Sequence, residues 1–318
     1  MKRRKHLINL WRVLLIGVLA TLLPQTAGAC EGSGASYDPY LIKSIADMTQ
    51  LANDVNSGNS YASKHFLLTE DLTYTSSDTY TVIGNETHKF EGFFDGGGKT
   101  IKGIRYTTST EQYIGIFGFT NGGGIAYLNA VDCQFTSTNN ACAAIIVGKS
   151  DNYTIIQKNL VEDCVLTVND GYAAGIDAYP SGSVESCGVL RTTITVKDGD
   201  VLQGSAGGIV GFDNYNYSQS DHFIQDCTIQ ADYAGGIIAA SSAPSHEGNI
   251  VEDCTIIGKT AAAGFCPQNG TYWIPGGSNN LVLGETTIKA ANAADCNAAA
   301  LFAVSTSLDR KSVVSGKS

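Results

Sequence analysis

Carboxylates and thiols recur side by side along this chain. Asp132-Cys133, Asp163-Cys164, Asp226-Cys227 and Asp253-Cys254 repeat one pair, and Ser186-Cys187 is a variant of it. Carboxylates held at one phase of a repeat can bind Ca²⁺ or perturb one another's ionisation, as a polysaccharide lyase or hydrolase requires. The plainer reading of Asp132, Asp163, Asp226 and Asp253 is a solvated turn or sheet face. Ser186 interrupts the series, and no Lys or Arg recurs beside it to serve a lyase as base. For the thiols, Cys133, Cys164, Cys187, Cys227 and Cys254 read as an inward ladder, because free Cys behaves as a small buried hydrophobe. Disulfides between neighbouring coils are the second reading. A metal site is the third, since no C-x-x-C pair occurs and no His shares the phase.

Two other stretches combine rings with polar groups: Phe212-Asp213-Asn214-Tyr215-Asn216-Tyr217 and Asn269-Gly270-Thr271-Tyr272-Trp273-Ile274-Pro275. Tyr215, Tyr217, Tyr272 and Trp273 suit glycan binding, where ring faces stack on sugars and neighbouring amides fix hydroxyls. Ordinary packing within long loops is the competing account.

Other chemistry is excluded by spacing. Gly96-Gly97-Gly98-Lys99-Thr100 imitates a phosphate loop, but Phe93 stands where its first glycine belongs. Ile101-Lys102-Gly103-Ile104 then alternates as a strand instead of opening a helix. His6, His65, His88, His222 and His246 form no H-E-x-x-H pair, and no G-x-S-x-G or S-x-x-K elbow is present.

The elements that must position these residues repeat. Gly115-Ile116-Phe117-Gly118, Ala144-Ile145-Ile146-Val147-Gly148, Ala174-Gly175-Ile176, Gly207-Gly208-Ile209-Val210-Gly211, Gly235-Gly236-Ile237-Ile238, Ala263-Gly264-Phe265 and Ala299-Ala300-Leu301-Phe302 return at roughly 31-residue intervals. Each unit holds short β runs and no helical period, which predicts one coil of a parallel β-helix per repeat. Upstream, Met48, Leu51, Ala52 and Val55 lie at i, i+3, i+4, i+7, predicting one amphipathic helix with Asp47 as N-cap and Asn56-Ser57-Gly58 as its end. Between helix and repeats, Asp95-Gly96 reads as a turn into the first regular coil.

The chain of 318 residues opens with Lys2, Arg3, Arg4 and Lys5, an apolar run from Val13 to Leu23, and Ala27-Gly28-Ala29. That is the pattern of a secretory leader, and a bacterial one by its dense basic run. Cys30 follows directly and is the candidate for a lipid anchor, although the residue three before it is Ala27 rather than the usual Leu. Removal of the leader leaves 15 basic residues against 30 acidic ones, a charge near −15. This argues against nucleic acid as a partner.

The string Phe90-x-Gly92-x-Phe94-Asp95-Gly96-x-Gly98-x-Thr100-Ile101-x-Gly103-Ile104, with Ile83-Gly84-Asn85 before it and the Gly-Gly-Ile-Val-Gly strings after it, resembles the GLUG-type right-handed β-helix proteins of gut bacteria. The resemblance extends upstream through Ile42-Lys43-Ser44, Val55-Asn56-Ser57-Gly58 and Phe66-Leu67-Leu68-Thr69, and covers most of residues 40–304. It implies an exported surface scaffold with no catalytic residue to carry over.

The expected organisation is a leader (1–29), an N-terminal cap with one helix (30–87), an all-β right-handed parallel β-helix of about seven coils (88–304), and a basic tail foreign to the repeat (305–318). The expected function is a non-catalytic scaffold for adhesion, binding of glycans included, exported to the bacterial surface or medium. Its expected partners are host or bacterial surface glycans or proteins, with membrane contact only through a lipid on Cys30. No cofactor is expected, with Ca²⁺ on the Asp series as the alternative. The competing functions are a polysaccharide lyase or glycoside hydrolase on the same fold, and a purely structural segment of a larger surface protein.

Overall fold

The computed structural model describes residues 31–197, 204–213, 219–241, 245–268, 276–290, 297–299 and 302–304. The leader, Cys30, the tail 305–318 and the loop residues Tyr215, Tyr217, Tyr272 and Trp273 lie outside the described residues.

The chain winds into an all-β parallel solenoid of about eight turns, the architecture of a right-handed parallel β-helix. Strands at equivalent positions of successive turns pair in register. Among the described residues they form a nine-stranded sheet from Tyr40–Ile42 to Gly276–Ser278, an eight-stranded sheet from Leu72–Thr73 to Leu281–Leu283, and a ten-stranded third sheet. Coil stacking starts earlier than residue 88. Tyr40–Ile42 already pairs with His65–Leu68, which pairs with Phe93–Asp95, and this accounts for a turn beyond the seven expected.

In-register pairing turns the two-residue alternation of each strand into columns running along the solenoid. Phe94, Ile125, Ile156 and Val184 form one inward column, and each is buried. Ile101, Ala130, Val161, Val189, Ile224 and Val251 form a second, and Leu166, Ile194, Ile229 and Ile256 a third. Each large member contributes roughly 1.5–3 kcal/mol by leaving water. The core is therefore a rod of β-branched and aromatic side chains, and chemistry can occur only on the outer faces and at the corners.

Helix α1 (Ile45–Asn56) buries the four residues its period indicates: Met48, Leu51, Ala52 and Val55. Its N-cap is Ser44 rather than Asp47. The Asp47 amide donates to Ser44 Oγ at 3.2 Å, while the Asp47 carboxylate accepts from the Lys43 amide and the Ser44 hydroxyl, each at 2.9 Å. This is a reciprocal capping arrangement in which the acidic residue sits at the third helical position. At the other end, Asn56 Nδ2 donates to the Val82 carbonyl and Asn56 Oδ1 accepts from the Gly84 amide, which ties the helix to the chain ahead of the first long coil.

The Asp95-Gly96 segment is a corner. Phe93–Asp95 belongs to the first sheet and Thr100–Lys102 to the second. Asp95 Oδ1 accepts from the Gly97 amide at 2.8 Å, and Gly97 and Gly98 have φ of 58° and 68°. Glycine is needed there because both positions lie in the left-handed region.

Candidate functional site

Each coil bends twice through a left-handed residue, and these bends fix where the Asp and Cys residues sit. At the bend leaving the second sheet, Asp132, Asp163, Arg191, Asp226 and Asp253 occupy successive rungs with φ between 44° and 54°. Asp adopts this region more readily than most residues because its short side chain bonds locally. The column is therefore explained by backbone geometry. Three of its four carboxylates are also engaged: Asp132 pairs with Arg105 at 2.7 Å, Asp163 with Arg191 at 2.8 Å, and Asp253 Oδ1 accepts the Glu285 amide at 2.7 Å. Arg191 stands in the column itself, between Asp163 and Asp226. Among the described residues no three His, Cys, Asp or Glu side chains converge as a metal site. Asp226→Val should cost about 1–2 kcal/mol through the left-handed backbone, whereas Asp226→Gly should stay within a few tenths. Urea unfolding of the two variants checks this, and equal losses would show that the carboxylate itself matters.

The residue after each bend explains the cysteines. A backbone N–H at a corner points away from the sheet ladder and needs another acceptor. The Cys133 amide donates to Cys164 Sγ at 3.3 Å and the Cys164 amide to Thr192 Oγ1 at 3.3 Å. The Cys227 amide donates to Cys254 Sγ at 3.4 Å and the Cys254 amide to Thr286 Oγ1 at 3.3 Å. The ladder at this corner is thus Cys133, Cys164, Thr192, Cys227, Cys254 and Thr286, and Cys187 is not in it. Ser186 has φ of 53° at the other bend, the one leaving the first sheet, where Tyr127, Lys158 and Asp221 are also left-handed. Cys187 accordingly joins a polar column. Its amide donates to His222 Nδ1 at 3.3 Å, the His222 amide to Asn249 Oδ1 at 3.0 Å, and the Leu128 amide to Asn159 Oδ1 at 3.0 Å. A histidine therefore does share a phase with one of the five cysteines. All five are buried free thiols, and burial pushes the Cys187 thiol up to about 12, far from a usable nucleophile.

The arrangement with the clearest chemical character lies on the third sheet and the strand that follows it. Tyr113, Cys142, Tyr172, Ser205 and Tyr233 form one in-register column. A second column contains Phe119, Lys149, Tyr179 and Phe212: Phe119 pairs with Lys149, the Ser150 amide donates to the Tyr179 carbonyl, and the Phe212 amide donates to the Ala178 carbonyl. The two columns meet. Ring centroids are 4.9 Å apart for Tyr113–Phe119, 4.9 Å for Tyr172–Phe212, 5.5 Å for Tyr179–Phe212 and 5.7 Å for Tyr172–Tyr179. Lys149 Nζ lies 4.6 Å from the Phe119 ring centre, 5.5 Å from Tyr113 and 5.6 Å from Tyr179, with Asp151 at 3.5 Å. Tyr113, Lys149, Tyr172, Tyr179 and Phe212 are all half-buried, so the rings form a seam open to solvent along several coils. Cys142 sits within it, but burial raises its thiol to about 12 and leaves it an inert wall.

The seam rests on a buried polar layer. Asp177 takes a rung between Val147 and Val210 and is inaccessible to solvent. Its carboxylate accepts from the Ser150 hydroxyl at 2.6 Å and the Tyr179 amide at 3.0 Å, and Ser150 Oγ accepts from the Ser181 amide at 3.3 Å. These bonds hold the segment that carries Tyr179 against strand Val147–Asp151, which carries Lys149.

The seam was readable in one respect only. Its residues flank the glycine and alanine strings six or seven positions apart, as in Tyr113/Phe119, Cys142/Lys149, Tyr172/Tyr179 and Ser205/Phe212. Phe212 alone belongs to a stretch already singled out for its rings.

No family model matches this chain. It is similar to a protein described as "Putative Gly-rich membrane protein" from Evansella cellulosilytica, 25% identical over 173 residues, which is 51% of this chain and 19% of that protein. The chain thus spans about a fifth of the length of the curated relative it matches. Among solved structures it is similar to one described as a "putative immunoglobulin A1 protease" from Bacteroides ovatus, with a TM-score of 0.59, 17% identity and 86% of each chain covered. That likeness is one of fold. No described helix is long and apolar enough to cross a membrane.

Proposed function

We propose that this protein is a non-catalytic scaffold on the outside of a bacterial cell that adheres to glycans along the aromatic seam. The observation that carries the reading is the contact of Tyr113, Tyr172, Tyr179 and Phe212 across two columns, with Lys149 among the rings. Half-buried rings offer flat faces to the apolar faces of sugars, while a tyrosine hydroxyl or the lysine ammonium supplies polar contacts. A rigid coil stack spaces them at a fixed interval and loses little entropy on binding. Export follows from the leader, attachment from lipidation of Cys30, and the resemblance to the GLUG-type proteins agrees with both. The description of the Evansella relative as a membrane protein supports an envelope location.

A glycan array run together with a reducing-sugar and unsaturated-product assay tests this. Binding without turnover is expected, and Tyr172→Ala and Tyr179→Ala should each weaken it about tenfold, a loss of about 1.4 kcal/mol. Turnover would replace the reading with the polysaccharide-degrading alternative. Glycan binding unaffected by both substitutions would move it away from the seam, and no glycan binding by the wild type would leave a structural segment.

A further inference from the structure

A cavity of about 490 Å³ opens beside the first long coil, bounded by Asn56, Tyr80, Glu86, Tyr106, Glu111 and Tyr113 among others. Its size is that of a small-ligand site. The walls come from two segments that the sequence holds firmly. One is the chain at 82–85, pinned by Asn56, whose amide nitrogen donates to the Val82 carbonyl at 2.9 Å and whose oxygen accepts from the Gly84 amide at 3.0 Å. The other is the turn at 108–112, where Thr108 Oγ1 accepts from the Thr110 and Glu111 amides at 3.3 Å each and the Glu111 carbonyl accepts from Asn139 Nδ2 at 3.1 Å.

The chemistry of this cavity differs from that of the seam. Three tyrosine rings face it, with Tyr80 and Tyr106 nearly perpendicular at 6.2 Å. Tyr80 is committed through its hydroxyl, which donates to the Ile116 carbonyl at 2.6 Å. Tyr106 donates to Glu111 Oε2 and Tyr113 hydrogen-bonds Glu86. Burial, followed by these carboxylate contacts, pushes both phenols well above their ordinary range, so both keep their protons and act as donors. Each carboxylate accepts one phenolic hydrogen bond and keeps further lone pairs for a ligand. The lining contains two glutamates and no Lys, Arg or His. Aromatic walls with carboxylates at the same opening attract a cation that also carries hydrocarbon, because the ring faces and the carboxylates act on it with the same sign.

We propose that this cavity binds a primary ammonium group on a small hydrocarbon or sugar frame, with Glu86 and Glu111 taking the charge and Tyr80, Tyr106 and Tyr113 packing on the frame. The ammonium can belong to an amino sugar or to a lysine side chain of a partner, and both present the same three N–H donors. The site stands independently of glycan binding at the seam, with which it shares only Tyr113.

Calorimetric titration of the full chain with glucosamine, with N-acetylglucosamine as its uncharged counterpart, and with Nα-acetyl-lysine methylamide tests the assignment. Glucosamine or the lysine derivative should bind, N-acetylglucosamine should bind at least tenfold more weakly, and added salt should weaken the ammonium ligands. Whichever amine binds more tightly identifies the source. Glu86→Gln with Glu111→Gln should reduce amine binding at least tenfold while leaving Tyr172-dependent glycan signals intact. Glu86→Gln alone, on an exposed residue, serves if the double variant melts early. Equal binding of N-acetylglucosamine and glucosamine, wild-type binding by the glutamine variants, or no heat from either amine would each overturn the proposal.

Discussion

Gly235→Ala is expected to destabilise the protein by about 3 kcal/mol or more, read as a fall in the urea midpoint with an unchanged slope. The cause is crowding rather than a special dihedral. A Cβ at position 235 would lie 1.8 Å from the Ile238 carbonyl oxygen and 2.9 Å from that of Phe265. Both are backbone atoms, the first three residues further along the same coil and the second in the next coil, and Gly235 is itself held in register by Gly207 on one side and Ala263 on the other. Relief would require breaking that register. Gly188→Ala is the control. Its Cβ would meet Leu160 Cδ1 at 3.0 Å, the end of a flexible side chain, with the nearest backbone oxygen at 3.8 Å. That variant should lose less than about 1 kcal/mol. If the two alanines cost the same, close approach of backbone carbonyls is not what places glycine in these strings.

The contrast between these glycines shows how far the chain can be read by eye. The repeat of small and apolar strings was enough for a parallel β-helix, because a period near 31 with no helical stripe has few other solutions. Inward columns such as Ile101 to Val251 follow from that repeat alone. The corners did not follow. Each coil bends twice, and at both bends a left-handed residue precedes one whose backbone N–H donates to a side chain of the next coil. Ser186-Cys187 therefore looks like Asp163-Cys164 in the sequence, and only the pairing of Glu185 with Gln157 and Ser220 places it at the other corner. The equivalent of Asp163-Cys164 in that coil is Arg191-Thr192, in which threonine oxygen does the work of sulfur. The seam was missed for a different reason. Its tyrosines lie outside the polar loops: Tyr113 and Tyr172 sit on strands and Tyr179 in a bend, at the edges of the strings, where a single ring in one repeat carries no visible pattern. Only stacking several coils makes them neighbours.

Asp177 is the residue whose burial should be most visible in solution. It stands on a rung that Val147 and Val210 fill in the neighbouring coils, so desolvation, with smaller additions from Asp213 and Asp151, moves its carboxyl from the ordinary 3.8 up to about 7. The Ser150 hydroxyl and the Tyr179 amide pull the other way and do not win. The consequence for stability has a definite sign. Below pH 3.8 Asp177 is protonated in both folded and unfolded chains and contributes no pH dependence. Between about pH 4 and pH 7 the folded protein retains a proton that the unfolded chain releases, so stability falls as pH rises. Above about pH 7 the loss is complete, and the gap corresponds to about 4 kcal/mol. Asp177→Asn keeps an acceptor for the Tyr179 amide and presents an N–H to Ser150 Oγ without ever ionising. It should therefore equal or fall below the wild type at pH 4 and exceed it at pH 8. Ionisable groups far from Asp177 are common to both proteins and cancel in the difference. Urea midpoints of the two proteins at pH 4, 6 and 8 measure it. A difference that does not change with pH would mean that Asp177 ionises in the folded protein much as it does in water, and that the layer beneath the seam is held by Ser150 and Tyr179 around a charge.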